Sequence, residues 1–185
     1  MKYCTHCVMP ETRPRMTFNK EGICNACQWA EQKHNLIDWD ARWKELGKWC
    51  EKYRSADGGF DVVVPVSGGK DSCYVSWMMK HKLGMSPLLV HVAPPLPFDV
   101  GNHNLEKLIA GGFDCIKVHP NPEISRQITR IEMHDFGDPL LSWMISVRSV
   151  VFRTAINYGI KLIMWGEDGE VEYGGLTDSQ YTPFH

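Results

Sequence analysis

The chain has 185 residues and a formal net charge of −2, with 43% hydrophobic and 23% charged residues. That length suits one α/β core with a small appendage, and the charge balance speaks against a large non-specific nucleic-acid surface. No apolar run reaches membrane-span length and Met1-Lys2-Tyr3-Cys4 has no signal-peptide core. The expected location is therefore cytoplasmic, where 7 cysteines point to metal binding or catalysis rather than to disulfides.

Two cysteine pairs come first, Cys4-x-x-Cys7 and Cys24-x-x-Cys27. Each turn converges two thiolates on one ion, and the two turns together complete a tetrahedral all-sulfur site. Zinc is the expected occupant, and iron also fits the ligand type. No open coordination position is evident, so the role is structural. His6 is an alternative ligand that four thiols make unnecessary. The intervening Arg13-Pro14-Arg15 and Asn19-Lys20-Glu21-Gly22 are turn-rich and gain their order from the metal. The knuckle spans residues 1–30. Residues 31–57 form a connecting helix with Trp39, Trp43, Leu46, Trp49 or Cys50, and Tyr53 at helical spacing. That aromatic face either docks the knuckle on the next domain or meets a partner protein. The turn Ser55–Gly59 opens the main domain, residues 58–185.

Phe60, Val62, Val63, Val64 and Val66 predict a buried strand from Phe60, followed by Ser67-Gly68-Gly69-Lys70-Asp71-Ser72 and a helix from Asp71 to near Leu83. Strand, glycine turn and helix N-terminus make an anion hole, because successive N–H groups face one concavity and the helix dipole favours negative charge. Gly68 and Gly69 allow close approach to phosphate oxygens, Lys70 adds charge, and Ser67 and Ser72 add hydroxyls. The spacing differs from the Walker loop. It resembles the S-G-G-x-D-S loop of the PP-loop ATP pyrophosphatases, which split ATP between its α and β phosphates.

Further strands are predicted at Pro87–Val92, Cys115–Val118 and Lys161–Trp165, with helices at Asn102–Ala110, Glu123–His134 and Leu140–Tyr158. The alternation gives the fold class: α/β, a doubly wound parallel sheet of Rossmann-like type with an N-terminal four-cysteine zinc knuckle. Ligands in such sheets bind beyond the strand C-termini at the switch point. The Ser67 loop, the Ala93-Pro94-Pro95 loop and the Gly166 loop all lie at those ends. Backbone groups of His91, Val92 and Ala93 are candidates for reading adenine. Glu167 and Asp168 fit metal or ribose binding and fit a solvated turn equally. Asn102 and Asn104 are candidate caps of the helix there. Arg148 and Arg153 suit a phosphate or carboxylate contact, or a structural ion pair. His81, His91, His103, His119 and His134 show no metal-ligand spacing. Gly169–His185 is turn-rich, a poor end for a core.

Tyr3-Cys4-x-x-Cys7-Val8-Met9-Pro10-Glu11-Thr12-Arg13-Pro14, then Phe18-Asn19-x-x-Gly22-Ile23-Cys24-Asn25-Ala26-Cys27, then the S-G-G-K-D-S loop, resemble the N-acetyl sugar amidotransferases of bacterial surface-polysaccharide synthesis, as in O-antigen or lipopolysaccharide. The resemblance implies conversion of an acetamido group on a nucleotide-linked sugar to acetamidino. It implies ATP and Mg²⁺ besides Zn²⁺, with Asp71 helping to hold the Mg²⁺. It also implies two partner subunits similar to those of imidazole-glycerol-phosphate synthase, one a glutaminase and one a barrel. Members of that family are longer than this chain, which implies a domain incomplete at its C-terminus.

The chemistry of such a reaction is compatible with these residues. An amide oxygen is a poor leaving group until adenylated, and the loop with Lys70 suits the pyrophosphate that departs. Lys70 and Asp71 are thus the expected catalytic residues. Cys50, Cys73 and Cys115 lack the setting of a glutaminase nucleophile, so ammonia must come from elsewhere. Cys73, in the first turn of the loop helix, is where a dipole would lower a thiol pKa, although a small packed residue is the simpler reading. Two rivals stand: a tRNA-thiolating enzyme with the same kind of loop, and a zinc-bearing scaffold that binds ATP without turnover.

Overall fold

Two short cysteine turns are the first ordered features of the chain. The computed structural model describes residues 1–167 and 169. Two units divide them: Met1–Lys44 with the described residues from Glu167, and Glu45–Gly166. Asp168 and the expected turn-rich tail, Gly169 apart, lie outside the described residues.

In the first unit, isolated antiparallel bridges pair Tyr3 with Pro10 and Phe18 with Cys24. The Thr5 N–H donates to the Gly22 carbonyl at 3.1 Å and ties the two turns together. Helix α1 (Asn25–Asn35) starts inside the second cysteine pair, with Cys24 at its N-cap. Sequence reading placed no helix before residue 31, because the Cys24–Cys27 spacing looks like a turn. A C-x-x-C pair also fits the first turn of a helix, where residues three apart share a face. Helix α2 (Trp39–Lys52) follows and crosses the division between the units.

The second unit holds β1 (Val62–Pro65), α3 (Lys70–His81), β2 (Pro87–Val92), α4 (Asp99–Ala110), β3 (Asp114–Val118), α5 (Pro122–Asp135), α6 (Leu141–Asn157) and β4 (Leu162–Ile163). All ladders are parallel and the strand order is β3-β2-β1-β4. Every residue of β1 and β2 is buried, as continuous apolar runs in a sheet covered on both faces require. Alternation sorts their side chains. Val62, Val64, Val66 and Leu89 pack with Met79 of α3, Leu105 of α4 and Cys50 of α2. Val63, Leu88 and Val90 pack with Val151 and Ala155 of α6.

The strands are shorter than expected at both ends of the sheet's sequence. Before β1 the buried Asp61 donates its N–H to the Ser86 carbonyl at 2.9 Å and its carboxylate accepts from the Ser86 N–H at 2.7 Å, so backbone and side chain together fix that end. At β4, one further bond from the Met164 N–H to the Val63 carbonyl, 2.9 Å, extends a two-residue ladder. Strand order reverses at β1, with β2 and β3 to one side and β4 to the other. The switch point therefore lies at the C-terminal end of β1.

Candidate functional site

The four Sγ atoms of Cys4, Cys7, Cys24 and Cys27 all lie within 4.8 Å of one another. Cys7 and Cys24 are 3.7 Å apart, close to the ~3.8 Å separation of thiolates about 2.3 Å from a tetrahedral zinc. The donor set and spacing fit a structural zinc. Cys4 and Cys24 are buried, Cys27 half-buried and Cys7 exposed. His6 is exposed and stands outside this cluster.

The thiols are not equivalent. Burial raises the Cys4 pKa, but N–H groups of Cys7, Cys24 and His6 point at its sulfur and outweigh that, bringing it to about 6. Those contacts measure 3.5, 3.2 and 3.4 Å. Burial pushes Cys24 up. Burial, then hydrogen bonds with Cys7 and Cys24, push Cys27 up as well. One thiolate is thus prepared, while two thiols keep protons that a metal must displace. The turn after Cys7 is strained, since Val8 is β-branched yet sits at φ 56°.

The glycine loop leaves β1 at the switch point and enters α3, whose N-cap is Gly69. A glycine cap supplies no side-chain acceptor, so the loop closes on itself by other means. The Gly69 N–H donates to Ser67 Oγ at 3.3 Å. The Ser72 hydroxyl donates to the Gly69 carbonyl at 3.2 Å and accepts from the Ser67 N–H at 3.4 Å. Ser72 is therefore a brace of the loop, whereas the exposed Ser67 still has its own hydroxyl proton to give. Gly68 has φ +81°, and a Cβ there would lie 2.0 Å from the Gly101 carbonyl oxygen of α4. Its lack of a side chain serves close contact with protein, beyond the approach to phosphate that the sequence implied.

Lys70 and Asp71 are exposed and pair with each other, Nζ to both carboxylate oxygens at 2.7 Å. An exposed pair of this kind stabilises by less than about 1 kcal/mol. Gly166, after β4, presses on the loop helix, since a Cβ there would lie 3.1 Å from the Ser72 N.

Of the other expected groups, His91 is buried and its Nδ1 meets the Val66 carbonyl at 2.9 Å. The Val92 carbonyl accepts from Trp143 Nε1 at 3.3 Å. The Ala93 N–H donates to the Val118 carbonyl at 2.9 Å. These two backbone groups are engaged within the protein. Glu167 is exposed and belongs to the first unit.

Two expectations need correction. Asn102 and Asn104 do not cap a helix, because α4 starts earlier, at Asp99 with Phe98 as N-cap. Gly101 hid that start by looking like a breaker. Asn104 Nδ2 instead donates to the Gly68 carbonyl at 3.0 Å. Cys73 does not have a lowered pKa; burial raises it, as suits a small packed residue. Burial also raises Cys50 and Cys115.

Sequence reading also missed Glu132. This buried carboxylate of α5 accepts from the Ser142 N–H at 2.7 Å and the Ser142 hydroxyl at 3.1 Å, capping α6 from a different helix. No local pattern marks such a long-range cap. A glycine three residues before an asparagine was the available signal for Asn104.

No helix among the described residues is long and apolar enough to cross a membrane. No family model matches the chain, and no curated protein matches it. Among solved structures it is similar to a predicted subunit of tRNA methyltransferase from Methanocaldococcus jannaschii, with 20% identity and a TM-score of 0.41. That likeness covers 65% of this chain and 60% of the other, so this chain spans about 60% of that protein's length.

Proposed function

We propose that the chain is the ATP-using part of an amidotransferase that converts an acetamido group of a nucleotide-linked sugar to acetamidino. The observation that carries the reading is the Ser67–Ser72 loop, placed at the switch point and pressed by Gly101 and Gly166. Loop amides and the α3 N-terminus offer a polyphosphate a concavity of positive potential. Lys70, leaving Asp71, binds the β and γ phosphates, and Asp71 becomes the carboxylate available to Mg²⁺. ATP supplies the adenylyl group: the amide oxygen bonds to the α phosphorus, and pyrophosphate leaves into the loop. Ammonia from a partner glutaminase then adds to the carbon, and AMP departs with the former amide oxygen. The protein's part is to position the reactants and stabilise the departing charge. The raised thiols of Cys73 and Cys115 support this reading over sulfur transfer, which needs thiolates. The four-thiol cluster is assigned a structural zinc.

Mass spectrometry tests the reading directly, using a UDP- or CMP-linked diacetamido sugar incubated with the protein, Mg-ATP and ammonium. The expected product is lighter by the difference between an oxygen atom and an NH group, and forms with AMP and pyrophosphate. ATP binding with no such product, even with a glutaminase present, overturns it.

A further inference from the structure

The anion-binding form of the loop depends on one peptide plane. The Gly68 carbonyl and the Gly69 N–H belong to the same planar unit and turn together. The N–H end is held by Ser67 Oγ at 3.3 Å, and the carbonyl end by Asn104 Nδ2 at 3.0 Å. Only the NH₂ end of the Asn104 amide can serve a carbonyl, so its orientation is fixed by the bond.

The helix that carries Asn104 reaches the loop because glycines face each other. A Cβ on Gly68 would lie 2.0 Å from the Gly101 oxygen, and one on Gly101 would lie 3.4 Å from the Ser67 oxygen. Gly101 and Asn104 are three residues apart on α4 and so share a face. Backbone contact brings α4 to the loop, and the asparagine then fixes the plane.

We infer that Asn104 is a positioning residue that keeps the Gly68 carbonyl turned toward α4 and out of the phosphate concavity. Were the peptide to flip, a carbonyl oxygen would face the incoming phosphates, and its partial negative charge would repel them. The ligand in this inference rests on the ATP reading above; the loop geometry does not.

The test compares wild type with Asn104→Ala, Asn104→Gln and, as a control on the same helix, Asn102→Ala. Amide exchange at Gly69 is followed by NMR without nucleotide, and MgATP affinity by calorimetry. Asn104→Ala is expected to speed Gly69 exchange selectively and weaken MgATP binding about fivefold, the worth of one neutral hydrogen bond. Asn104→Gln keeps the donor and restores part of both, while Asn102→Ala changes neither. A merely structural role would lower the melting temperature without singling out Gly69. Unchanged Gly69 exchange in Asn104→Ala overturns the inference. Wild type that binds no MgATP removes the nucleotide reading, and Gly69 exchange still decides the role of Asn104.

Discussion

In the first unit, Met1–Lys44, the buried apolar side chains among the described residues are Cys4, Cys24 and Trp29. The second unit lines both faces of its sheet with aliphatic side chains, from Val62 and Leu89 on one face to Val63 and Val151 on the other. Hydrophobic burial can hold the second unit by itself. A segment as short as the first, with so little core, needs another source of order. Four converging thiols can provide it, because the free energy of metal binding becomes free energy of folding. Within one chain, coordination can thus order one unit while packing orders the other.

The largest expected effect separates the two. Cys24→Ser, or metal removal by a chelator, should unfold the first unit, since structural zinc contributes about 10–16 kcal/mol to such folds. Hydrogen exchange should then lose protection across residues 1–35 and keep it at Val62–Pro65. Simultaneous loss in both units would break the comparison. The protonated thiols sharpen it further. Cys24 and Cys27 are raised, so protons compete with metal, and zinc affinity should rise with pH through the neutral range. Competition titrations against a chelator at several pH values measure this, and a flat profile would contradict the assignment.

The converse test is Leu89→Ala, at a position with 0% exposure. It should cost about 2–5 kcal/mol in the denaturant transition of the sheet unit, with metal content unchanged. Gly68→Ala comes next. Left-handed backbone and the approach to Gly101 should cost about 1–3 kcal/mol, with MgATP binding abolished while the sheet still folds. Retained binding would show that the loop tolerates a displaced α4. The smallest effect is a gain: Val8→Gly should stabilise the metal-loaded first unit by about 1 kcal/mol by relieving its left-handed valine. A drop in its melting temperature would mean that the valine side chain contributes packing its 73% exposure does not reveal.

Sequence periodicity located β2 at its observed bounds, Pro87–Val92, because a fully buried parallel strand is an unbroken apolar run. The loop between β1 and α3 was equally legible, since Ser67–Ser72 is contiguous and rich in glycine. What stayed hidden was whatever depends on distant partners. The Asp61 carboxylate binds the Ser86 N–H just before β1, and Glu132 caps α6 from α5. Neither bond leaves a trace within a local window. Asn104 was noticed and given the wrong task, because a cap and a long-range amide donor look alike until the helix start is known. Burial raises the Cys73 thiol, which agrees with its simpler reading as a small packed residue.

Gly166 carries a consequence for the order in which the molecule is made. Its backbone lies against Ser72, yet it follows β4, the last strand among the described residues. On the ribosome, the loop emerges long before the residue that presses on it. A nascent chain that has reached α5 can pair β1 with β2 and β2 with β3, but its loop lacks one neighbour. Contacts this distant in sequence form late and slow folding. The loop should therefore acquire its final shape only when β4 adds itself to the edge of the sheet.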